Sequence, residues 1–561
     1  MKNNNLPDYD IAVIGGGASG IYTAWRMIME GAEHSAQLKK WKKARGSLKI
    51  AVFEGSDRIG GRLLTAKSPH LPNVICEIGG MRYVSSQTLV RSLVENKFNL
   101  PRHQQAVTEE NNLLALRGKS LRVKDLDNAK KLPYNLSEDE IAWLAKDGNT
   151  ADNFLGYAVQ KIFPDIVKYH GTALRKYLSK QKLDGIPLYK HGFWNLVATQ
   201  LSHEAYSIAV TTVGYDLLGF NTNAVDAICE YFDFTPDVKY YLFDDGYDSL
   251  LWKMQEEFQN AGGIISTGKW LESFDHGKLA DNSKVVSLQF RDERKPKTAR
   301  AIILAMPKRS LELLEQKGPV MDPKAAPHVR YMMNAIVPIQ LYKMFIAYDK
   351  PWWETDGVTK GRSLTDTPVR QCYYWGVENR QPKSNPENNN AILMVYNDAL
   401  SSEFWGGLRH IPLGPNDTKT ENSTNKFKPK KTHFKQSGKQ TDWDKRLHQN
   451  WKECAAPKSM VIEMHRQLQI LHDIKNAPEP IDAAFMDWGD DPYGGAVHMW
   501  NSGYDSTRIM QDIIQPVSSF PCYICGEAYS QGQTWAEGAL QTAELVLRKF
   551  DIPEPKWLTE K

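Results

Sequence analysis

The sequence has 561 residues, which exceeds the size at which a single hydrophobic core stops growing, so we expect more than one domain. Hydrophobic residues make up 41% and charged residues 24%, which excludes a disordered chain and is typical of a folded globular protein. The formal net charge of +4 is too small over this length to indicate a nucleic-acid binder, so we expect no nucleic-acid partner.

Targeting signals and cysteines point to a soluble cytoplasmic protein. The segment 1–10 is polar and lacks the pattern of a secretory signal, and no uncharged apolar run reaches the length of a membrane span. Six scattered cysteines indicate reduced core residues rather than a disulfide framework. Cys522 and Cys525 have the spacing of a redox or zinc pair, but their segment alternates like a buried strand. We therefore expect them to pack in the core, with no bound metal and no membrane.

The chain opens with the pattern of a parallel α/β unit. Residues 9–14 form an apolar run typical of a buried strand, and the glycine-rich segment 15–20 leads into a helix that begins near Ile21. The polar and basic stretch 31–48 is predicted to extend this helix in solvent. Residues 48–53 then read as a second parallel strand, which completes a strand, helix, strand unit.

Further along, the pattern changes from helical to mixed. The stretch 132–237 has helical spacing, with a capped helix start at Ser137, and predicts a helical insertion. Strands are predicted at 263–265, 284–290 and 301–305, and one long strand is predicted at 335–348. The stretch 414–445 is predicted to be a surface loop or a disordered insert. A final strand at 522–525 is followed by a helix at 535–550.

Three glycines occupy the turn between the first strand and the first helix. Gly15, Gly17 and Gly20 match the Gly-x-Gly-x-x-Gly pattern, in which the backbone approaches a pyrophosphate at a helix N-terminus. Glu54 ends the second strand and is suited to bind ribose hydroxyls, although the basic insertion places it further along than the usual spacing of about 20 residues. The alternative is a tight turn without a ligand.

Later motifs extend this pattern in chain order. They are Arg58-Ile-Gly-Gly-Arg62, Glu77-Ile-Gly-Gly-Met-Arg82, Ile303-Leu-Ala-Met-Pro307, Tyr342-Lys343, the segment Trp488 to Ala496, Gly526-Glu527 and the segment Trp535 to Ala543. The series resembles the flavin amine oxidase family, and within it the bacterial L-amino-acid oxidases. No second glycine motif of this type follows a later strand, so we expect no nicotinamide-binding domain.

The resemblance implies the fold and the cofactor. It implies an α/β protein in which an FAD-binding Rossmann-like domain (6–70, 243–312 and 486–555) is interleaved with a mixed-sheet substrate domain (74–128 and 320–485) and a helical domain (129–240). The segment around Gly526 lacks the cysteine that anchors flavin in monoamine oxidases, so FAD should be non-covalent. The implied FAD contacts are Gly15, Gly17, Ala18, Ser19, Gly20, Glu54, Gly61, Arg62, Gly80, Met81, Arg82, Trp270, Gly526, Glu527, Trp535 and Ala536.

The resemblance also assigns four residues to catalysis. Arg82 would bind a substrate carboxylate with its planar guanidinium, a role that distinguishes amino acids from simple amines; a surface ion pair is the alternative. Tyr374 would add a hydroxyl to the same carboxylate, with Tyr373 in the core. Lys343 lies in an apolar strand and would assist the reaction with oxygen, unless it reaches the surface. Trp535 would form one wall of the substrate pocket.

These residues lead to a predicted activity. We expect an FAD-dependent L-amino-acid oxidase that uses oxygen and releases a 2-oxo acid, ammonia and hydrogen peroxide, and that forms a homo-oligomer as the family often does. A flavin amino-acid 2-monooxygenase and a flavin-binding subunit without turnover are the alternatives. The resemblance favours basic substrates, L-arginine above all with L-lysine possible, whereas a pocket rich in tryptophan would equally suit aromatic substrates. The candidate partners of a basic side chain are Asp366, Glu378, Glu230 and Asp233, and the candidate aromatic walls are Trp375, Trp405 and Trp535.

Overall fold

The computed structural model describes residues 6–216, 220–233, 238–409, 426–432 and 440–558, with the side chain of residue 233 left out. Two large sheets, a group of helices and several short two- or three-stranded ladders make up this part of the chain. The strands are β1 (Tyr9–Ile14), β2 (Ile50–Phe53), β3 (Thr65–Ala66), β4 (Cys76–Glu77), β5 (Tyr83–Val84), β6 (Arg102–Gln105), β7 (Leu113–Leu116), β8 (Lys119–Arg122), β9 (Lys182–Leu183), β10 (Ile186–Pro187), β11 (Tyr240–Phe243), β12 (Ile264–Ser266), β13 (Leu271–Lys278), β14 (Lys284–Phe290), β15 (Lys297–Leu304), β16 (Ile336–Ile339), β17 (Leu341–Tyr348), β18 (Arg362–Thr365), β19 (Gln371–Val377), β20 (Ala391–Asp398), β21 (Asp482–Asp487), β22 (Val497–Trp500) and β23 (Cys522–Ile524).

The helices fall mainly between and beside these strands. They are α1 (Ala18–His34), α2 (Ala36–Arg45), α3 (Thr88–Ser92), α4 (Glu138–Leu144), α5 (Phe154–Ile162), α6 (Gly171–Leu178), α7 (Phe193–Ala198), α8 (His203–Val213), α9 (Ala224–Asp233), α10 (Ser249–Asn260), α11 (Lys308–Glu312), α12 (Gly318–Met321), α13 (Pro327–Asn334), α14 (Ala399–Gly406), α15 (Asp442–Glu453), α16 (Lys458–Leu471), α17 (Ser506–Asp512) and α18 (Ala536–Lys549).

The first large sheet carries the glycine turn. Its strand order is β12, β2, β1, β15, β14 and β13, and β23 pairs with β15. The pairs of β1 with β2 and of β1 with β15 are parallel, which places their carboxyl ends along one edge. Residues Ile11, Val13, Ile50 and Val52 are fully buried and pack with α1, α10 and α18 on one face of the sheet. Burial on both faces explains why these strands are continuous apolar runs.

The second large sheet is mostly antiparallel and has the order β21, β17, β20, β19, β18, β7 and β8. Every residue of β17 and β20 is buried. Alternate residues face two different cores, because successive side chains of a strand point to opposite faces. Phe345 and Met394 lie in one core, whereas Tyr342 and Met344 lie in the other.

The helices α4 to α9 form a third layer with a core of its own. The start of α4 has the predicted capping box, in which Ser137 and Glu140 exchange backbone and side-chain hydrogen bonds. Leu364 joins this layer to the second sheet. The mixed α/β architecture agrees with the predicted fold class, and the domain boundaries stay predictions.

Local differences from the sequence-based expectations have simple causes. The segment 335–348 forms two strands instead of one, because β16 pairs with β22 whereas β17 pairs with β20 and β21. The predicted loop 414–445 ends earlier, since Thr441 caps α15. Residues 414–425 and 433–439 of that loop lie outside the described residues. All six cysteines are free and buried, as expected. No helix in the described ranges is long and apolar enough to cross a membrane.

Candidate active site

A cavity of about 1370 Å³ runs from the glycine turn of the first sheet to the inner face of the second sheet and the helical layer. Every residue expected to contact FAD lines this cavity except Gly20. Of the four residues expected in catalysis, Lys343, Arg82 and Trp535 line it and Tyr374 does not. One continuous space therefore joins the expected cofactor and substrate residues.

Each of the three glycines of the turn is required for a different physical reason. Gly15 has a φ of 109°, and a Cβ at this position would lie 2.3 Å from the backbone oxygen of Ala305. A Cβ at Gly20 would lie 1.9 Å from the backbone oxygen of Gly15. A Cβ at Gly17 would meet no atom closer than Gly61 Cα, at 3.8 Å, and Gly17 lines the cavity immediately before α1. Gly15 and Gly20 thus allow close packing, whereas Gly17 leaves room beside a helix N-terminus.

The second glycine-rich segment lies against this helix end. A Cβ at Gly61 would approach Gly17 Cα to 3.2 Å, so the two backbones are in contact. Glu54 accepts hydrogen bonds from the backbone N–H of Gly16 at 2.7 Å and from Ser56 at 2.9 Å, which fixes its carboxylate at the cavity wall. Arg62 forms a 3.0 Å ion pair with Glu527.

These features fit a flavin adenine dinucleotide. The N-terminus of α1 has no side-chain cap, so its free N–H groups can bind phosphate oxygens. Gly17 and Gly61 remove the side chains that would fill the same space. Glu54 can accept hydrogen bonds from ribose hydroxyls. Trp270 lines the same part of the cavity as Gly55 and Arg291. Gly526, Glu527, Trp535 and Ala536 continue the wall at the start of α18.

Lys343 lies on β17 and is buried. Its Nζ donates hydrogen bonds to the backbone oxygen of Glu77, at 3.1 Å, and to that of Gly79. Burial lowers the pKa of Lys343 to about 7, although the carboxyl of Glu77 acts in the opposite direction. Burial, followed by the nearby carboxylate of Asp248, raises the pKa of Glu77 to about 8. Lys343 can therefore exchange a proton near neutral pH.

Arg82 is buried among tyrosines. Its Nη1 donates to Gln105 Oε1 at 2.9 Å and its Nη2 donates to Tyr215 Oη at 3.3 Å. Its Cζ lies 4.4 Å from the ring centre of Tyr240 and 5.8 Å from that of Tyr373. Its Nε is buried without a hydrogen-bond partner. A surface ion pair is therefore the wrong description, and the guanidinium is available to an anion in the cavity.

The structure does not bring Tyr374 to the cavity. Its hydroxyl lies 2.6 Å from Ser363 Oγ and 2.9 Å from His472 Nε2, in the core on the far face of the second sheet. Tyr373 faces the near side instead and contacts Arg82. Neighbouring residues of a strand point to opposite faces, so only one of the two tyrosines can face Arg82.

The candidate partners for the substrate side chain are spread widely. Asp366 is exposed and accepts a hydrogen bond from the backbone of Arg117, and Glu378 is buried against Asn73. Glu230 lines the cavity and accepts a 3.1 Å hydrogen bond from Thr534 Oγ1. The side chain of Asp233 lies outside the described residues. Trp375 and Trp405 do not line the cavity, whereas Trp535 does.

Several cavity residues were missed from the sequence. They are Gln105, Tyr215, Tyr240, Arg362 and Tyr396, all of which line the cavity. These residues lie in segments that only the tertiary fold brings together, so no local signal in the sequence identifies them.

Comparisons with known proteins agree with this geometry. The family model described as flavin containing amine oxidoreductase matches residues 18–405. Aplysianin-A of Aplysia kurodai is 25% identical over 96% of this chain and 90% of its own length. Achacin of Lissachatina fulica is 24% identical over 96% and 93%. The L-amino acid oxidase Bs29 of Bothriechis schlegelii is 21% identical over 74% and 73%.

A solved structure shows the same fold. Putrescine oxidase bound to putrescine superimposes with a TM-score of 0.59 at 16% identity, and the match covers 97% of this chain and 98% of that one. The family match spans more than half of the chain and includes Gly20, Arg82 and Lys343. The chain therefore belongs to the flavin-containing amine oxidoreductase family and is an FAD-dependent oxidoreductase.

Proposed function

We propose that this protein oxidises L-amino acids to 2-oxo acids, with release of ammonia and hydrogen peroxide. The observation that carries the proposal is the buried guanidinium of Arg82, which lines the cavity together with Lys343 and has no carboxylate partner among the described residues. Such a group suits the α-carboxylate of an amino acid, which a simple amine lacks. The L-amino-acid oxidases among the relatives support the same substrate class.

In this proposal the chain supplies binding, orientation and proton handling. FAD, held by the residues of the glycine turn and the start of α18, would supply the two-electron acceptor for the oxidation at the substrate Cα and the means of its reoxidation by oxygen. Arg82 holds the carboxylate, with Tyr373 packed against its guanidinium, and this fixes the position of Cα. Lys343 Nζ holds or releases a proton beside the backbone oxygens of Glu77 and Gly79. Trp535 forms an apolar wall that excludes water.

For the substrate side chain, the proposal keeps a basic group, with L-arginine first. A buried cation needs a carboxylate, because an uncompensated charge would cost several kcal/mol. Among the four candidate acids, Glu230 is the one with a described side chain at the cavity, where Thr534 fixes one of its oxygens. We therefore assign the basic side chain to Glu230.

The test is a product analysis over the twenty L-amino acids. Purified holoenzyme is incubated with each substrate, and hydrogen peroxide, 2-oxo acid, ammonia, amide and carbon dioxide are measured. An oxidase gives peroxide and 2-oxo acid in equal amounts, with L-arginine and then L-lysine fastest. Formation of amide and carbon dioxide would establish the 2-monooxygenase instead. If no amino acid bleaches the flavin under anaerobic conditions, the protein is a flavin-binding subunit without turnover. Faster turnover of aromatic or aliphatic substrates would remove only the basic side chain from the proposal.

A further inference from the structure

A second guanidinium, that of the half-buried Arg362, lies at the same end of the cavity as Arg82. Arg362 on β18 stands directly opposite Tyr373 on β19 in the antiparallel pair. Residues paired in this way have Cβ atoms about 5 Å apart, so their side chains share one face. Arg362 Nη1 and the hydroxyl of Tyr373 both donate to Gln371 Oε1, at 3.0 Å and 3.2 Å. Gln371 thus ties Arg362 to the tyrosine that faces Arg82.

The two guanidiniums share a second tyrosine. Arg82 Nη2 donates to Tyr215 Oη, and Arg362 Cζ lies 5.5 Å from the ring centre of the same tyrosine. Both arginines have a buried Nε without a hydrogen-bond partner. No ion pair joins either one to a carboxylate in the part of the chain that the structure describes, and the titratable groups that act on them most are Tyr373 and Tyr215, with Arg82 acting on Arg362 as well. Two cations are therefore held close together without an anion of the chain.

Both guanidiniums also act on the phenol of Tyr373. Burial by itself would raise the pKa of this phenol, but Arg82 and Arg362 reverse the effect and lower its pKa. An anionic ligand between the two guanidiniums would relieve their mutual repulsion and satisfy the free N–H groups. The cavity lining includes both residues, so such a ligand can reach them.

We infer that Arg362 is a second residue of the α-carboxylate site, and that Arg82 and Arg362, which both lie against Tyr373, hold the carboxylate together. The inference rests on the proposed function. It predicts that replacement of Arg362 weakens the binding of every amino acid to a similar degree, because the α-carboxylate is common to all of them. A residue that recognised a substrate side chain would instead act on one class.

The test measures binding without turnover. Holoenzyme is titrated with benzoate, an unreactive carboxylate, and with the uncharged benzamide, and the change in flavin absorbance gives each Kd. Arg362→Gln should raise the Kd for benzoate about thirtyfold or more and leave that for benzamide unchanged. Arg362→Lys keeps the charge without the planar fork and should give an intermediate Kd, which also covers the case in which the Gln variant fails to fold. FAD content and Tm are measured for each variant.

The matched control is Lys360→Gln. Lys360 lines the same cavity two positions away on the chain, but it is exposed and pairs with Glu109 at 3.1 Å, so its variant should keep the Kd for benzoate within about twofold. An unchanged Kd in Arg362→Gln, beside a raised Kd in Arg82→Gln, would overturn the role of Arg362 and leave the proposed function intact. Loss of kcat/KM for L-aspartate and L-glutamate alone would also overturn it, since Arg362 would then bind a side chain. Failure of wild-type protein to oxidise any amino acid would overturn the proposed function itself.

Discussion

Arg62 and Glu527, which are far apart in the sequence, form a 3.0 Å ion pair at the wall of the cavity. Glu527 also accepts 2.9 Å hydrogen bonds from the backbone N–H of His498 and from that of Thr534. Thr534 has a φ of 72°, in the region that favours glycine, and this hydrogen bond helps to hold it there. Glu527 therefore joins the second glycine-rich segment to the turn that precedes α18.

The Arg62 and Glu527 pair predicts a loss of stability in acid. Burial would raise the pKa of Glu527, but the charges of Arg62 and His498 lower it to about 2. Since the folded pKa lies below the unfolded value of about 4.5, the unfolded state binds more protons between these values. The contribution, about 3 kcal/mol, is present above pH 4.5 and is lost as the pH falls toward 2.

Urea unfolding of holoenzyme at several values between pH 6 and pH 3.5 measures this effect. Wild-type protein should keep this contribution down to about pH 4.5 and lose stability below that pH, and Glu527→Gln should start less stable and show a flatter pH dependence. The exposed Glu256→Gln serves as the control and should follow wild type. Equal pH slopes for wild type and Glu527→Gln would contradict the assignment.

Gly17 and Gly20 should respond differently to alanine. Gly20→Ala places a Cβ 1.9 Å from the backbone oxygen of Gly15 and should destabilise the fold by about 1–3 kcal/mol or more. Gly17→Ala meets no atom within 3.8 Å, so the fold should keep its Tm while FAD affinity falls about tenfold or more, because the methyl group occupies phosphate space. Thermal unfolding of apoprotein and FAD titration separate the two effects. Unchanged FAD affinity in Gly17→Ala would show that the cofactor does not bind at this turn.

Arg82→Ala should reduce kcat/KM for amino acids about a hundredfold to several thousandfold. Removing one partner of a desolvated charge pair costs about 3–5 kcal/mol, which corresponds to this range. FAD should remain bound, as its absorbance will show. Arg91→Ala is the control, since Arg91 donates to the backbone oxygen of Ser85 and does not line the cavity. An unchanged kcat/KM would remove Arg82 from the substrate site.

Lys343→Met should slow oxygen consumption more than it weakens substrate binding. The replacement keeps the length of the side chain but removes the proton-carrying Nζ, whose burial lowers its pKa to about 7. Stopped-flow mixing of the substrate-reduced protein with oxygen gives the first quantity, and anaerobic substrate titration gives the second. A wild-type reaction with oxygen in this variant would contradict the role of Lys343.

FAD should be released from the protein by acid precipitation. No covalent anchor is expected, because the segment 526–532 contains no cysteine and the nearby Cys522 and Cys525 are buried in the core of the first sheet. Yellow colour in the supernatant, with a colourless pellet, is the expected result. Flavin that stays with the denatured polypeptide would contradict the prediction.

The sequence by itself determined the cofactor half of the site. Gly15, Gly17, Gly20 and Glu54 follow one another along a short piece of chain, and backbone geometry at a strand-to-helix turn depends on local residues. The capped start of α4 and the buried strand β23 were predicted for the same reason, since capping and apolar alternation are local signals.

Only the tertiary structure decided the substrate half. Whether Tyr373 or Tyr374 lies on the side of Arg82 depends on which face of β19 is turned toward it. Both faces of β19 pack in apolar cores, so the sequence pattern of the strand does not distinguish them. Arg362 comes next to Arg82 because β18 pairs with β19 and the helical layer brings Tyr215 between them. These contacts join residues distant in sequence, so their positions follow from sheet order and packing, which no local pattern specifies.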